Sequence, residues 1–341
     1  MQSKPRILLI YTGGTIGMMK DFETGALKAF NFSKLLNKIP ELKLLDCDIE
    51  TISFEIPIDS SNMNWQKWVK IATMIETHYN DFDGFVVLHG SDTMSYSASA
   101  LSFMLENLNK PVIFTGSQLP IGDLRTDAKE NLITAIQIAS LQNKNKPVIN
   151  EVCLYFEYKL YRGNRTTKIN AEHFNAFTSP NYPALAESGV HLKISKELVL
   201  PRTSKKLLVH KVLEDNVVIV KMFPGINENV FSSILNIPNL KGVVIETYGS
   251  GNAPTDEWFI AALKKAIKNG LHIVNVTQCA GGSVNMGQYE TSTALKKIGV
   301  ISGKDSTTEA AITKLMYLLG QNVASKVFRT IYETSIRGEL T

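Results

Sequence analysis

The chain has 341 residues, of which 44% are hydrophobic and 20% are charged, values that exclude a largely disordered protein. Its net charge of +4 comes from scattered lysines and arginines rather than from a basic run, which disfavours a nucleic-acid partner. No apolar stretch approaches the roughly 20 residues of a membrane helix and no cleaved leader is recognisable, so we expect a cytoplasmic protein without membrane contact.

The cysteines give no sign of a disulfide framework or a zinc site. Cys47, Cys153 and Cys279 lie far apart and lack the paired spacing that either would need. They are predicted to be small core residues.

Short runs rich in β-branched residues recur along the chain and predict buried strands. In chain order they cover residues 7–10, 85–88, 112–114, 152–156, 217–220, 243–245 and 273–276. Between several of them, apolar residues spaced three or four apart predict helices over 68–79, over 94–108 and over about 256–269, the last ended by Gly270. Because strand and helix alternate, we expect a parallel or mixed α/β sheet.

A chain of this length is expected to form two domains. The alternation of strand and helix lapses into polar and charged residues around 190–214. We therefore predict an N-terminal domain over 1–192, a connection over 193–214 and a C-terminal α/β domain over 215–341.

The first predicted strand runs directly into the glycine-rich turn TGGTIG, residues 12–17. Its adjacent glycines let the backbone turn sharply, and they present Thr15 at the strand end, where α/β proteins place their sites. Taken alone, the turn is explained as well by a hydroxyl bonded to its own backbone or by a phosphate loop. A nucleotide site is disfavoured, because the glycine spacing does not fit a dinucleotide fingerprint and the P-loop lysine is absent.

The second informative strand end is HGSDT, residues 89–93, where a predicted helix begins at once. On this segment alone, Ser91 or Asp92 is explained by an ordinary helix N-cap. His89 is expected to be a strand-end residue with satisfied hydrogen bonds rather than a general base, since the sequence names no partner for it.

A third segment, RGNRTTK over residues 162–168, follows the strand predicted at 152–156 and ends in Lys168. A hydroxyl is a poor nucleophile at neutral pH, so a base or a buried ammonium must ease the removal of its proton. Lys168 near Ser91 would meet that need. A solvated basic loop is the alternative that the spacing leaves open.

In this order and at these separations, TGGTIG, HGSDTM and NRTTK resemble the motifs of the bacterial-type L-asparaginase family, and the resemblance spans almost the whole chain. Further segments are similar to its cytoplasmic type I branch. They are DSS at 59–61, LSFMLEN at 101–107, TGSQ at 115–118, YGSGNAP at 248–254 and RGELT at 337–341.

The resemblance implies a larger N-terminal mixed-sheet α/β domain and a smaller C-terminal flavodoxin-like parallel-sheet domain. It implies hydrolysis of L-asparagine to L-aspartate and ammonia, with no metal or organic cofactor, by a homodimer or homotetramer. Thr15 would attack the side-chain carboxamide, water would hydrolyse the acyl-enzyme, and Ser91 with Lys168 would relay protons. Asn252 is expected to reach the site from a neighbouring subunit.

These residues suit a substrate with two charged ends. Asp92 supplies the negative charge that an α-ammonium needs, while Ser60 and nearby backbone amides can bind an α-carboxylate. Amides at the glycine-rich turn and at the nearby helix terminus could stabilise the oxyanion. The predicted substrate-binding residues are Gly14, Asp59, Ser60, Ser61, Gly90 and Asn252.

The chain departs from the family pattern at three places. Ser91 stands where most members carry threonine, which keeps the hydroxyl but loses a methyl that restricts its rotamer. The loop over 18–27 lacks the tyrosine that usually contacts the nucleophile: Ala26 stands at its position and Phe22 cannot exchange a proton, so that hydroxyl must come from elsewhere, from water or not at all. Thr247 stands where some type I members use an arginine for an activating asparagine site, so we expect weak or no activation of that kind.

Three other functions remain possible at this point. The same site could hydrolyse glutamine, or it could feed ammonia to a partner as an amidotransferase subunit does. The amidotransferase form normally carries an added N-terminal module, and a first motif at residue 12 favours a free hydrolase. A non-catalytic amino-acid sensor that keeps the pocket is the alternative from a different class.

Overall fold

The structure, a computed structural model, describes residues 4–20, 27–29, 39–288 and 290–341. Its contacts divide the chain into two compact units, Met1–Lys211 and Val212–Thr341. Each unit has its own sheet. The expected division into a larger mixed-sheet unit and a smaller parallel-sheet unit is confirmed.

The described part of the first unit contains most of the strands and three α-helices. Its strands are β1 (Arg6–Gly13), β2 (Met18–Lys20), β3 (Leu27–Ala29), β4 (Asp48–Ile58), β5 (Gly84–Leu88), β6 (Leu105–Glu106), β7 (Val112–Thr115), β8 (Gln142–Asn143), β9 (Lys146–Pro147), β10 (Val152–Phe156), β11 (Lys159–Arg162), β12 (Thr167–Lys168), β13 (Phe177–Thr178), β14 (Ala186–Glu187), β15 (Lys193–Ile194) and β16 (Leu208–Val209). Its helices are α1 (Trp65–His78), α2 (Met94–Met104) and α3 (Ala128–Ser140).

Eight of these strands form one mixed sheet in the order β15-β14-β11-β10-β7-β5-β1-β4. Neighbours from β10 to β4 run parallel, whereas β11, β14 and β15 pair antiparallel. Strands β5 and β10 are buried at every position, which explains why they read as continuous apolar runs in the sequence.

The four strands predicted in this unit are confirmed as β1, β5, β7 and β10, and α1 matches the predicted helix over 68–79. The helix predicted over 94–108 is wrong in its last turn, because α2 ends at Met104 and Leu105–Glu106 pairs with Leu208–Val209 instead. Asn107 then adopts a positive φ of 63°, which no α-helix allows. Part of the predicted connection over 193–214 is thus paired within the first unit, as β15 and β16.

The register of the sheet brings four strand ends side by side. Gly13 of β1 lies opposite Ile58 of β4, and Leu88 of β5 lies between Tyr11 of β1 and Thr115 of β7. The strands are parallel, so the turns that follow β4, β1, β5 and β7 all emerge at the same edge. This is the edge where an α/β sheet places its ligands.

The second unit holds a four-stranded parallel sheet in the order β17-β18-β19-β20. Its strands are β17 (Val217–Lys221), β18 (Gly242–Thr247), β19 (His272–Thr277) and β20 (Ile301–Ser302). Its helices are α4 (Glu228–Leu235), α5 (Glu257–Lys268), α6 (Glu290–Ile298), α7 (Thr308–Gly320) and α8 (Ser325–Tyr332). The three predicted strands and the helix before Gly270, whose φ is 95°, are confirmed. Across both units, no helix in the described ranges is long and apolar enough to cross a membrane.

Candidate active site

Two glycines bring the turns after β1 and β5 into direct contact. Gly14 has a φ of 86°, and a Cβ atom placed on it would lie 2.5 Å from the Gly90 nitrogen. A Cβ on Gly90 would in turn lie 2.5 Å from Ser60 Oγ. Any side chain at either glycine would separate these turns. Thr15 follows Gly14, and Ser91 follows Gly90. These two residues therefore begin two adjoining turns at one edge of the sheet.

Thr15 opens a short 3-10 turn, Thr15–Gly17, in which the Gly17 amide donates to the Gly14 carbonyl. The residue is half-buried. The strand end below it is fixed by Thr12, whose buried hydroxyl donates to the Leu88 carbonyl of β5 at 2.8 Å. The Thr12 hydroxyl thus links β1 to β5, and Thr15 follows in the turn at the end of β1.

The structure places Lys168 against the β5 turn. Its ammonium donates to Ser91 Oγ at 2.8 Å and to Asp92 Oδ1 at 2.7 Å. The segment that carries it is held by Thr166, whose hydroxyl donates to Ser95 Oγ of α2 at 3.0 Å. The Lys168 side chain is only 17% exposed while that of Asp92 is 66% exposed. The basic segment is therefore not a solvated loop, and Asp92 remains open to a second cation.

The Ser91 hydroxyl has another partner that the sequence did not suggest. It donates to Gln118 Oε1 at 3.0 Å, and Gln118 lies in the turn that follows β7. The segment TGSQ was recognised only as a family signature. The contact joins residues 27 apart in the chain, and no local pattern marks it.

The turn after β4 is held by its own side chains. Asp59 Oδ1 accepts from the Ser61 amide at 2.8 Å and from the Ser61 hydroxyl at 2.7 Å, and these bonds lower the pKa of Asp59. Ser60 is buried beside Gly90, and its carbonyl accepts from Thr93 Oγ1 at 2.8 Å. This arrangement ties the β4 turn to the β5 turn.

Two amides that were expected to bind substrate already donate within the protein. The Ser61 amide is engaged by Asp59, and the Gly14 amide donates to the Ile58 carbonyl at 3.2 Å. Both bonds shape the turns that carry Ser60 and Thr15. Substrate binding at Ser61 and Gly14 stays a prediction.

His89 is buried and forms a directed chain of hydrogen bonds. Its Nδ1 lies 2.7 Å from the Gly90 carbonyl, which can only accept, so Nδ1 carries the hydrogen. Its Nε2 then accepts from the Ser97 hydroxyl at 2.8 Å, while Ser97 Oγ accepts from Trp68 Nε1 at 2.8 Å. Burial lowers the pKa of His89 to about 4, so the ring is neutral at physiological pH. The expectation of a satisfied strand-end histidine is confirmed.

Comparison with known proteins gives the family. The family model described as "Asparaginase, N-terminal" matches residues 6–200, and that described as "Glutaminase/Asparaginase C-terminal domain" matches residues 216–332. The chain belongs to the asparaginase family. The resemblance drawn from the three motifs is thereby confirmed.

Similar proteins cover nearly the whole chain. L-asparaginase 1 of Escherichia coli (strain K12) is 44% identical over 339 residues, which are 99% of this chain and 98% of that protein. The structure of L-asparaginase I from Vibrio cholerae is 41% identical, with a TM-score of 0.91, and covers 99% of this chain and 100% of its own. The 60 kDa lysophospholipase of Mus musculus is 42% identical over 364 residues, which are 100% of this chain but 63% of that protein.

The asparaginase segment YGSGN lies in the second unit, after β18. Asn252 pairs with Tyr248 through both main-chain bonds, at 2.8 and 2.9 Å. Thr247 is buried and donates to Asn275 Oδ1 at 2.6 Å, and Asn275 Nδ2 donates to the Gly251 carbonyl at 3.0 Å. Thr247 thus supports the turn that carries Asn252. Weak activation by a second asparagine stays a prediction.

The other departures from the asparaginase pattern are only partly visible. Strands β2 and β3 pair antiparallel at the base of the loop that lacks a tyrosine. Phe22 and Ala26 lie outside the described residues. In the part of the chain that is described, no group of three or more His, Cys, Asp or Glu side chains could hold a metal ion.

Proposed function

We propose that this member of the asparaginase family hydrolyses the side-chain amide of L-asparagine to give L-aspartate and ammonia. The observation that carries the proposal is the contact of two turns through Gly14 and Gly90, which supports Thr15 acting together with the Ser91–Lys168 pair in the adjoining turn. A hydroxyl nucleophile needs a neighbour that takes its proton, and this pair is such a neighbour.

The reaction proceeds in two halves. Thr15 Oγ1 forms a bond to the carboxamide carbon as its proton passes to Ser91 Oγ and the Ser91 proton passes to Lys168 Nζ, which reacts in its amine form. The Lys168 ammonium so formed returns a proton through Ser91 to the amide nitrogen. The C–N bond breaks, ammonia leaves, and an aspartyl ester remains on Thr15. Water then attacks this ester, its proton returns to Thr15 Oγ1, and aspartate is released.

The proton relay depends on Lys168 as the final acceptor of the proton. Lys168 Nζ lies 2.8 Å from Ser91 Oγ, so it can take the proton that Ser91 releases, and Asp92 stabilises the ammonium that forms. The 17% exposure of Lys168 limits screening by water, so the stabilisation is stronger than at an open surface. Asp92 holds the ammonium in place from the other side, at 2.7 Å.

Asp92 also binds the substrate in this proposal. Its 66% exposure leaves room for the α-ammonium of asparagine beside Lys168. Ser60, buried against Gly90 with Asp59 and Ser61 bracing its turn, binds the α-carboxylate. Backbone amides that follow Gly14 in its turn stabilise the oxyanion, since the Gly14 amide is itself engaged by Ile58.

We further propose that the chain acts as a homodimer or homotetramer in the cytoplasm, with Asn252 of a neighbouring subunit completing each site. The rigid turn around Asn252 supports a positioned side chain rather than a mobile one. Cys47, Cys153 and the exposed Cys279 are free thiols, which suits a reducing compartment. An active monomer in light scattering would contradict the oligomer.

Glutamine is the second candidate substrate, because the matching C-terminal family is described as serving glutaminases as well as asparaginases. Glutamine is longer by one methylene, and a closed pocket discriminates such a difference by about 1–3 kcal/mol.

The test is a comparison of kcat/KM for L-asparagine and L-glutamine, followed by ammonia release. We expect hydrolysis of asparagine with a preference of about 10- to 200-fold over glutamine. Preference for glutamine would replace the proposal with a glutaminase. Binding of asparagine without any ammonia release would replace it with a sensor.

A further inference from the structure

The hydrogen bonds of Gln118 have a fixed direction. Its Nε2 lies 3.0 Å from the Ala171 carbonyl oxygen and 3.1 Å from that of His173. Carbonyl oxygens only accept, so the amide must turn its NH₂ group towards them. Its Oε1 then faces Ser91, and since Oε1 also only accepts, Ser91 must donate its hydroxyl hydrogen to Gln118.

This direction decides what the Ser91 oxygen can do next. A serine hydroxyl has a single hydrogen, and Gln118 takes it. The bond to Lys168 at 2.8 Å therefore has Ser91 as the acceptor. This is the arrangement before the reaction; in the relay Lys168 is an amine, and the hydroxyl hydrogen turns to it while Ser91 Oγ keeps its position. Gln118 thus fixes the place of Ser91 Oγ beside Lys168.

Serine needs such a partner more than threonine does. The methyl group of threonine restricts its χ1 rotamers, whereas a serine side chain turns among three staggered positions. Residue 91 is a serine and lacks that methyl group, and the hydrogen bond to Gln118 supplies the restriction instead.

Gln118 is itself well held. Its backbone amide donates to both carboxylate oxygens of Asp127, at 2.9 and 3.2 Å. The two carbonyls that receive its NH₂ lie in a turn closed by Asn170, whose Oδ1 accepts from the amides of Glu172 and His173 at 2.8 and 2.9 Å. Because the backbone amide and the side-chain NH₂ group of Gln118 are both held, its Oε1 has a fixed position from which it can orient Ser91.

We propose that Gln118 is a positioning residue, which holds the Ser91 hydroxyl in the rotamer that accepts from Lys168. The inference rests on the proposed hydrolysis of asparagine. It assigns Gln118 no contact with the substrate. Its loss therefore slows the proton relay and leaves substrate binding intact.

The experiment is a double-mutant cycle between Gln118→Met and Ser91→Thr, with kcat and KM measured for L-asparagine. Methionine keeps the length of glutamine and removes both hydrogen-bonding groups. In the Ser91 parent we expect kcat to fall roughly 10- to 100-fold with KM nearly unchanged, because a displaced group slows chemistry steeply. In the Ser91→Thr background we expect the loss to shrink to roughly threefold or less, because the added methyl restores the rotamer.

Gln137→Met is the matched control, because Gln137 is exposed on α3 and should leave both constants unchanged. Equal losses in the two backgrounds, or a raised KM with unchanged kcat, would overturn the inference. If Gln118→Met does not fold, Gln118→Glu replaces it: glutamate keeps an acceptor for Ser91 but loses the donors to Ala171 and His173. The same rescue by Ser91→Thr is then expected.

A parent enzyme that releases no ammonia from asparagine would contradict the proposed function, not this inference. Crystal structures of the parent and of Gln118→Met would then decide the positioning role. A changed Ser91 rotamer in the variant supports it. An unchanged Ser91 rotamer with its bond to Lys168 intact overturns it.

Discussion

At the scale of single residues, the turn after β5 is next to a charged lysine and follows a neutral histidine. Lys168 is largely shielded and shares its ammonium between Ser91 and Asp92, while His89, one residue before Gly90, is buried and neutral. The lysine was a candidate from the sequence because a hydroxyl nucleophile needs help. The exclusion of His89 follows from its partners, which only the folded chain reveals.

The neutral His89 predicts a dependence of stability on pH. Its pKa falls from 6.5 to about 4 on folding, so between these values the unfolded chain binds a proton that the folded chain does not. Stability is therefore full above about pH 6.5 and declines as the pH falls towards 4, by up to about 3 kcal/mol.

The measurement is the free energy of unfolding in urea at pH 7 and at pH 5, for the parent, His89→Asn and His191→Asn. Asparagine at 89 can donate to the Gly90 carbonyl without titrating, so we expect a smaller difference between the two pH values in that variant. His191 is exposed, and its variant should match the parent. An identical pH difference in all three proteins would show that His89 is not the cause.

At the scale of elements, apolar patterns predicted the strands whose faces are both buried, because such strands read as continuous β-branched runs. Strand β4 was missed. It lies at the edge of the sheet, carries charged residues among its apolar ones and has only one buried residue, Phe54. The contacts of Gln118 were not predicted either, because its partners at 171 and 173 are distant in sequence.

The contact between the turns after β1 and β5 predicts a strong effect of Gly14→Ala. A Cβ there would sit 2.5 Å from the Gly90 nitrogen, and the residue also has a positive φ. Gly225→Ala is the matched control, because Gly225 has a φ of 102° but no atom within 4 Å of the added Cβ. The control carries only the backbone strain, about 1–2 kcal/mol.

We expect Gly14→Ala to lower the free energy of unfolding by about 1–3 kcal/mol more than the control does, since overpacking adds to the strain. We also expect it to reduce kcat for asparagine by about 100-fold or more, because Thr15 moves away from the Ser91 turn. Urea unfolding and ammonia release measure the two effects. Equal behaviour of the two variants would mean that the turns are not held together at Gly14.

At the scale of the whole molecule, the chain forms two units, as expected from its length, and they divide between Lys211 and Val212. Thr15, Ser91, Asp92 and Lys168 all belong to the first unit, whereas Asn252 belongs to the second. The fold was predicted from the alternation of strand and helix and from the resemblance that the motifs carry. The three motifs taken together, rather than the glycine-rich turn alone, distinguish a hydrolase of this family from a phosphate-binding protein.

The central claim is that Thr15 is the nucleophile, and the most direct test is the rate of ammonia release from L-asparagine by Thr15→Ala. We predict a loss of about three orders of magnitude or more, with circular dichroism and melting temperature close to those of the parent. Thr15→Ser keeps the hydroxyl and should retain measurable activity. A folded Thr15→Ala enzyme that hydrolyses asparagine within tenfold of the parent rate would contradict the account.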